Sequence, residues 1–236
     1  MSNKSRKKKT TKARRVPVLN DLEKAKKLHQ TGKLMPAKKL YQRILSANPD
    51  NPDALHFLGL LLHGLGQSKS AITHIKRAIK IQPDYVDAYS NLGNVLLNLE
   101  RPKDAEATFR QAIEMKPDFA PGYNHLGIAL KTQEKFNDAE TAYRRAIALD
   151  PGYAEPYHNL GNVLLKNDHL DEALTAFRKA NALDPSNAVF QEQRNETLKL
   201  LGKVLYTEGK SEEAQSIYEE WVKHDPGNAV AKHMVL

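Results

Sequence analysis

The sequence contains no cysteine among its 236 residues, which excludes disulfides, thiolate metal ligands and a cysteine nucleophile. It also lacks an apolar run approaching the roughly 20 residues that a membrane-spanning helix needs. The opening residues, MSNKSRKKKTTKARR, have no apolar core of the kind found in secretory signal peptides. We therefore expect a cytoplasmic protein with no membrane span.

Acidic residues are absent from the first 17 positions, although the chain carries 28 acidic side chains in all. Eight of the 36 lysines and arginines lie in this stretch, so it accounts for the whole net charge of +8. A lysine-rich, acid-free segment is typical of disorder, and we expect residues 1–17 to form a disordered basic tail. Three roles stay open: a solubilising tail, binding to nucleic acid, a ribosome or an anionic surface, and, in a eukaryote, nuclear localisation.

The remaining chain is organised by a period of 34 residues. A proline recurs at this spacing until a final interval of 41: Pro49, Pro83, Pro117, Pro151, Pro185 and Pro226. Three further positions recur before each proline: a small residue stands 24 positions earlier, an alanine twelve positions earlier and a large residue eight positions earlier. The small residues are Ala25, Gly59, Gly93, Gly127, Gly161 and Gly202. The large residues are Tyr41, Ile75, Phe109, Tyr143, Phe177 and Tyr218.

This pattern predicts pairs of antiparallel helices. Segments such as AYSNLGNVLLNLE place apolar residues at the 3.6-residue period of an amphipathic helix. A small residue in the middle of the first helix lets a second helix approach closely, and the large residue fills the space beside it. The proline prevents the second helix from continuing. Such a pair cannot bury its own apolar face, so neighbouring pairs must stack.

Two segments in particular, AYSNLGNVLLNLERPKDAEATFRQAIEMKP and PYHNLGNVLLKNDHLDEALTAFRKANALDP, resemble tetratricopeptide (TPR) repeats. The resemblance implies an all-α, right-handed superhelical solenoid of about six repeats over residues 18–228. The first repeat departs from the pattern at Lys24 and Ile44, and the last departs from it at Trp221. The predicted repeats are 18–51, 52–85, 86–119, 120–153, 154–187 and 188–228.

The long final interval indicates a seven-residue insertion, which we place in the first helix of the sixth repeat, roughly Asn187 to Tyr206, with FQEQRNET as the added polar stretch. Residues 229–236 read as the start of a capping or linker helix, truncated if the natural chain continues. The stretch YEEWVKHDPGNAVAKHMVL resembles the junction that precedes an S-adenosylmethionine-dependent methyltransferase domain in bacterial TPR proteins. The repeats also resemble the TPR half of O-linked N-acetylglucosamine transferases.

Motifs for catalysis are missing from the sequence. Gly209-Lys210-Ser211 matches the end of a phosphate-binding loop, but the required earlier glycine is replaced by Val204. The nine histidines form no HExxH motif. We therefore predict that this chain is not an enzyme and that it has no cofactor and no metal site.

In a TPR protein the first helices line the concave groove, and here that face is rich in asparagine. The predicted groove residues are Asn91, Asn94, Asn124, His125, Lys131, His158, Asn159, Asn162 and Lys166. Asparagine offers both a donor and an acceptor, so a row of asparagines can hold an extended peptide by its backbone. The resemblance to the transferase repeats implies such a ladder, which Phe57 and His125 interrupt. The alternative is that these asparagines cap turns or only tolerate solvent.

The leading prediction is a scaffold that binds an extended peptide or a partner protein in this groove. One alternative is the non-catalytic, substrate-recruiting part of a larger transferase, and a further one is a nucleic-acid or ribosome-associated factor acting through the tail. The positions that clamp a C-terminal carboxylate in other TPR proteins hold Asp87, Ser90, Pro121 and Glu155, which argues against that mode. The partner is not identified by the sequence. The oligomeric state is also open, because the apolar residues 234–236 permit self-association.

Overall fold

The computed structural model describes residues 12–227, with side chains from residue 20 onward, and it forms twelve α-helices with no strand in that range. The predicted all-α fold of paired helices is thus confirmed. The chain divides into two compact units, Met1–Met115 and Lys116–Leu236, called here the N-terminal and C-terminal units. The predictions for residues 1–11 and 228–236 lie outside the described residues.

The N-terminal unit contains three helix pairs. Its helices are α1 (Lys12–Gln30), α2 (Leu34–Ala47), α3 (Pro52–Gly64), α4 (Ser68–Ile81), α5 (Val86–Asn98) and α6 (Pro102–Met115). Each odd-numbered helix packs on the even-numbered helix that follows it. The odd-numbered helices also contact one another, α1 with α3 and α3 with α5, so they share one side of the unit.

The C-terminal unit repeats this arrangement. Its helices are α7 (Ala120–Thr132), α8 (Phe136–Leu149), α9 (Ala154–Lys166), α10 (Leu170–Leu183), α11 (Ala188–Thr207) and α12 (Ser211–His224). Here α7 contacts α9 directly. We call the surface that the odd-numbered helices present within each unit its first-helix face.

The start of α1 corrects one expectation. The helix begins at Lys12, so residues 12–17, predicted to belong to a disordered tail, are helical. Lysine, alanine and arginine are among the stronger helix formers, which explains why the helix of the first repeat extends into this basic stretch.

Each helix pair is held together by a small residue packed against a large one. A Cβ atom built on Gly93 would lie within 3.0 Å of the Phe109 ring. The same is true of the glycine in four further pairs, which meet Ile75, Tyr143, Phe177 and Tyr218. These large residues are buried, and so are the alanines that stand twelve positions before each proline, such as Ala105. The predicted close approach of the two helices in each pair is therefore confirmed.

The insertion extends a helix and does not form a loop. Helix α11 has 20 residues, whereas α3, α5, α7 and α9 have 13 each. The added stretch was expected to be polar, but Phe190, Arg194 and Thr197 are buried. Their spacing of three to four residues places them on one side of the helix. The added turns of α11 therefore pack against the unit.

We predict that Gly93→Ala lowers the free energy of unfolding by about 1–3 kcal/mol, the usual cost of overpacking a core. The added methyl group would meet the fully buried Phe109 ring, which has no space to withdraw. Urea denaturation measures the change. Gly64→Ala is the matched control, because a Cβ there meets nothing within 4 Å and alanine favours the helix. Equal effects of the two substitutions would contradict the proposed packing constraint.

Candidate functional site

All nine predicted groove residues lie on odd-numbered helices. Asn91 and Asn94 are on α5 of the N-terminal unit. The others belong to the C-terminal unit, with Asn124, His125 and Lys131 on α7 and His158, Asn159, Asn162 and Lys166 on α9. The environments of these side chains differ in a way that the sequence pattern does not reveal.

In the N-terminal unit, Asn91 belongs to a chain of hydrogen bonds that joins α5 to α3. Its amide Nδ2 donates to His56 Nε2 over 2.9 Å. His56 Nδ1 lies 3.0 Å from the hydroxyl of Tyr85, and that hydroxyl donates to Asp53 Oδ1 over 2.7 Å. Because the tyrosine proton is given to Asp53, His56 carries its own proton on Nδ1 and accepts at Nε2. We call this set of four residues the N-terminal clip.

The clip requires a neutral histidine. Only 2% of His56 is exposed, and burial lowers its pKa to about 4, although the carboxylates of Asp87 and Asp53 oppose that change. A protonated ring would lose the acceptor that Asn91 uses. The neutral ring keeps each partner in the chain hydrogen-bonded.

The C-terminal unit has a corresponding clip made of different residues. Asn159 Nδ2 donates to Asn124 Oδ1 over 3.0 Å, and Asn124 Nδ2 donates to the hydroxyl of Tyr153 over 3.1 Å. Asn124 lies 68 residues, or two repeats, after His56 and takes its place. Asn124 is only 3% exposed and positions Asn159 on the neighbouring helix, and its contact with a ligand stays a prediction.

A second pair in the N-terminal unit repeats the contact between neighbouring first helices. Asn98 Nδ2 on α5 lies 3.0 Å from His63 Nε2 on α3. His63 Nδ1 lies 3.0 Å from the Ser68 hydroxyl. As in the clip, an amide of one repeat satisfies a ring nitrogen of the repeat before it.

His158 lies among aromatic side chains. Its ring stacks on Phe190 at a centroid distance of 4.9 Å and lies 5.6 Å from Phe177. Its Nε2 is 3.0 Å from Asn162 Nδ2, and its buried Nδ1 has no hydrogen-bond partner within the described residues. Burial lowers the pKa of His158, and the charge of Lys131 lowers it further. His158 therefore serves chiefly to pack α9 against α11.

The other predicted groove residues are more accessible. Asn94 is half-buried and makes no hydrogen bond to another described residue. His125 and Lys131 are half-buried, and burial lowers the pKa of both. Lys166 is exposed. These side chains, together with Asn91, Asn159 and Asn162, form the polar part of the first-helix faces.

The sequence analysis missed Tyr85, Tyr153, Asn98 and Phe190. A signal for the two tyrosines was present, because each precedes a groove asparagine by six residues in repeats that lie 68 residues apart. Phe190 was hidden inside a segment interpreted as polar. Its contact with His158 depends on the helical path of the insertion.

Residues 12–227 offer neither a metal-ligand cluster nor a membrane-spanning helix. No three histidine or acidic side chains in that range are grouped so that they could hold a metal ion. None of the helices described is both long and apolar enough to cross a bilayer.

Models of the tetratricopeptide repeat match the chain at several places. A TPR repeat model matches residues 65–99 and 129–168, and three tetratricopeptide repeat models match residues 86–119, 154–187 and 197–230. Together they span more than half of the chain, which therefore belongs to the tetratricopeptide-repeat family. No curated protein matches the sequence.

Solved structures share the fold. PilF of Pseudomonas aeruginosa is 16% identical, with a TM-score of 0.72 over 94% of this chain and 98% of its own. MamA of Desulfovibrio magneticus RS-1 is 23% identical, with a TM-score of 0.64 over 72% of this chain and 97% of its own. YrrB, described as a TPR protein with an unusual peptide-binding site, is 22% identical, with a TM-score of 0.59 over 73% and 89%.

We predict that His56→Asn makes the protein less sensitive to acid. Between pH 6.5 and about 4 the unfolded chain protonates His56 while the folded chain keeps it neutral, so stability falls as the pH falls through this range. Asparagine does not titrate, so the substitution removes this pH dependence. Its amide oxygen can accept a hydrogen bond from Asn91, as that of Asn124 does from Asn159. Urea denaturation at a series of pH values measures the difference between the two proteins. Parallel pH profiles would show that His56 is not held neutral.

Proposed function

We propose that this chain is a non-catalytic scaffold in which the first-helix face of each unit binds an extended segment of a partner protein. The observation that carries the proposal is the fixed orientation of Asn91 and Asn159. Each amide nitrogen is held by a residue of the preceding repeat. Each amide oxygen has no hydrogen-bond partner among the described residues, so it is held ready to accept a bond from a peptide N–H group.

This arrangement suits recognition of a peptide backbone. An extended peptide presents N–H and C=O groups at regular intervals, and pre-oriented side chains bind it with little further loss of conformational freedom. Asn94, one helical turn beyond Asn91, adds an amide that has no hydrogen bond to the described residues. It can therefore donate and accept without disrupting the clip.

The family supports a role in protein–protein interaction, and YrrB, a TPR protein described as having an unusual peptide-binding site, provides a structural parallel. The sequence-based alternatives remain predictions. A recruiting role in a methyltransferase or glycosyltransferase depends on residues at and beyond the end of the described range. Nucleic-acid binding through residues 1–17 depends largely on residues 1–11, which are also outside it.

We predict that Asn94→Ala weakens peptide binding by about five-fold, the equivalent of about 1 kcal/mol for one net hydrogen bond. A peptide selected on the full chain from a displayed random library serves as the ligand, and fluorescence anisotropy gives its Kd. The thermal midpoint should stay unchanged, because Asn94 makes no hydrogen bond to the described residues.

Asn137→Ala is the matched control, since Asn137 is an exposed asparagine on the even-numbered helix α8. It should leave the Kd unchanged. If Asn94→Ala binds the selected peptide as tightly as the parent chain, or if Asn137→Ala has the larger effect, the first-helix face is not the binding surface.

A further inference from the structure

Two lysines in the C-terminal unit occupy the positions of a hydrogen-bonded pair in the N-terminal unit. Lys131 and Lys166 follow His63 and Asn98 by 68 residues each. His63 and Asn98 satisfy each other across 3.0 Å. Two ammonium groups at the corresponding positions of α7 and α9 cannot do so, because both are donors and both are positively charged.

Neither lysine is neutralised within the described part of the chain. Lys131 is half-buried and Lys166 is exposed, and neither forms an ion pair with a described carboxylate. Lys131 is close enough to His158 for its charge to act on that ring. A half-buried charge without a counter-ion is unfavourable, so an anion bound at this place would be stabilised by both lysines.

An apolar cleft is lined by Leu165, the residue that precedes Lys166 on α9. It has a volume of about 240 Å³ and lies between the end of α9 and the middle of α11. Leu165, the neighbour of Lys166, and Leu200 provide apolar walls, and Lys199 and Lys203 stand at its rim. Leu200 is 45% exposed and contributes accessible apolar surface to the cleft.

The charge of this surface favours an acidic ligand. Glu196 is 3.6 Å from Lys199 and neutralises part of its charge, while Lys203 has no described carboxylate as a partner. Glu155 lies in the first turn of α9, at the opposite end of that helix from Lys166. Glu196 is the one carboxylate that lines the cleft, and it stands against Lys199 and Lys203 in the lining, although residues 18–236 are neutral overall.

We propose that this part of the first-helix face selects an acidic partner segment. The side-chain carboxylates of the segment pair with Lys131 and Lys166, and an aliphatic side chain next to them enters the cleft between Leu165 and Leu200. This inference rests on the proposed function and adds to it the chemical class of the partner. It differs from capture of a C-terminal carboxylate, since the lysines lie at other positions than those that would form such a clamp.

The test uses the full chain and three short fluorescently labelled peptides with blocked ends. All three contain leucine and serine, and they differ only in a third residue type, which is glutamate, glutamine or lysine. Fluorescence anisotropy measures each Kd. The glutamate peptide should bind at least about ten-fold more tightly than the glutamine peptide, as expected for two charge-assisted hydrogen bonds. The double variant Lys131→Gln/Lys166→Gln should lose about this factor for the glutamate peptide and leave the glutamine peptide unchanged.

Lys179→Gln/Lys223→Gln is the matched control, because it removes the same charge from exposed positions on α10 and α12. It should have little effect on the Kd of the glutamate peptide. If both double variants weaken binding equally, only the net charge matters and the inference is wrong.

The outcomes also separate this inference from the proposed function. Equal binding of the glutamate and glutamine peptides, with both sensitive to Asn162→Ala in the same unit, would overturn the acidic preference and leave the scaffold function standing. Binding of the glutamate peptide that depends on Lys131 and Lys166 but not on Asn162 would support the acidic site and contradict the backbone mechanism in this unit. Preference for the lysine peptide would overturn the inference outright.

Discussion

The packing of one small residue against one large residue within each helix pair is the constraint on which the structure depends. Gly93 and Phe109 show it most clearly, because even a single added methyl group would overlap the ring. With the two helices held so close, the apolar sides of the pair are buried and the outer side of the first helix faces a neighbouring first helix. The position of every groove side chain follows from this contact.

On that framework the two units carry different polar chemistry at equivalent positions. The N-terminal unit uses the neutral ring of His56 where the C-terminal unit uses the amide of Asn124, and both hold an asparagine of the next helix. His63 and Asn98 of the N-terminal unit are hydrogen-bonded to each other. The equivalent positions of the C-terminal unit hold Lys131 and Lys166. Equivalent positions of the repeats therefore carry side chains that satisfy each other in one unit, and two lysines without an ion pair to a described residue in the other.

The fold could be predicted from the sequence because the period of 34 residues reflects backbone packing, which glycine, alanine and proline report directly. The site could be predicted only in part. The pattern placed Asn91 and Asn159 on first helices of their repeats, but their bonds to His56 and Asn124 connect residues 35 positions apart and depend on side-chain orientation. The helical start at Lys12 and the burial of Phe190 also escaped prediction, because composition alone suggested disorder and a polar surface there.

The central claim is that the first-helix face is the surface that holds a partner segment. Nuclear magnetic resonance of the isotopically labelled chain, titrated with a selected peptide, tests it directly through the side-chain amide signals of asparagine. The account predicts that the signals of Asn94 and Asn162 shift with the peptide while that of Asn137 on α8 stays in place. Shifts confined to Asn137 and the backbone of the even-numbered helices would contradict it.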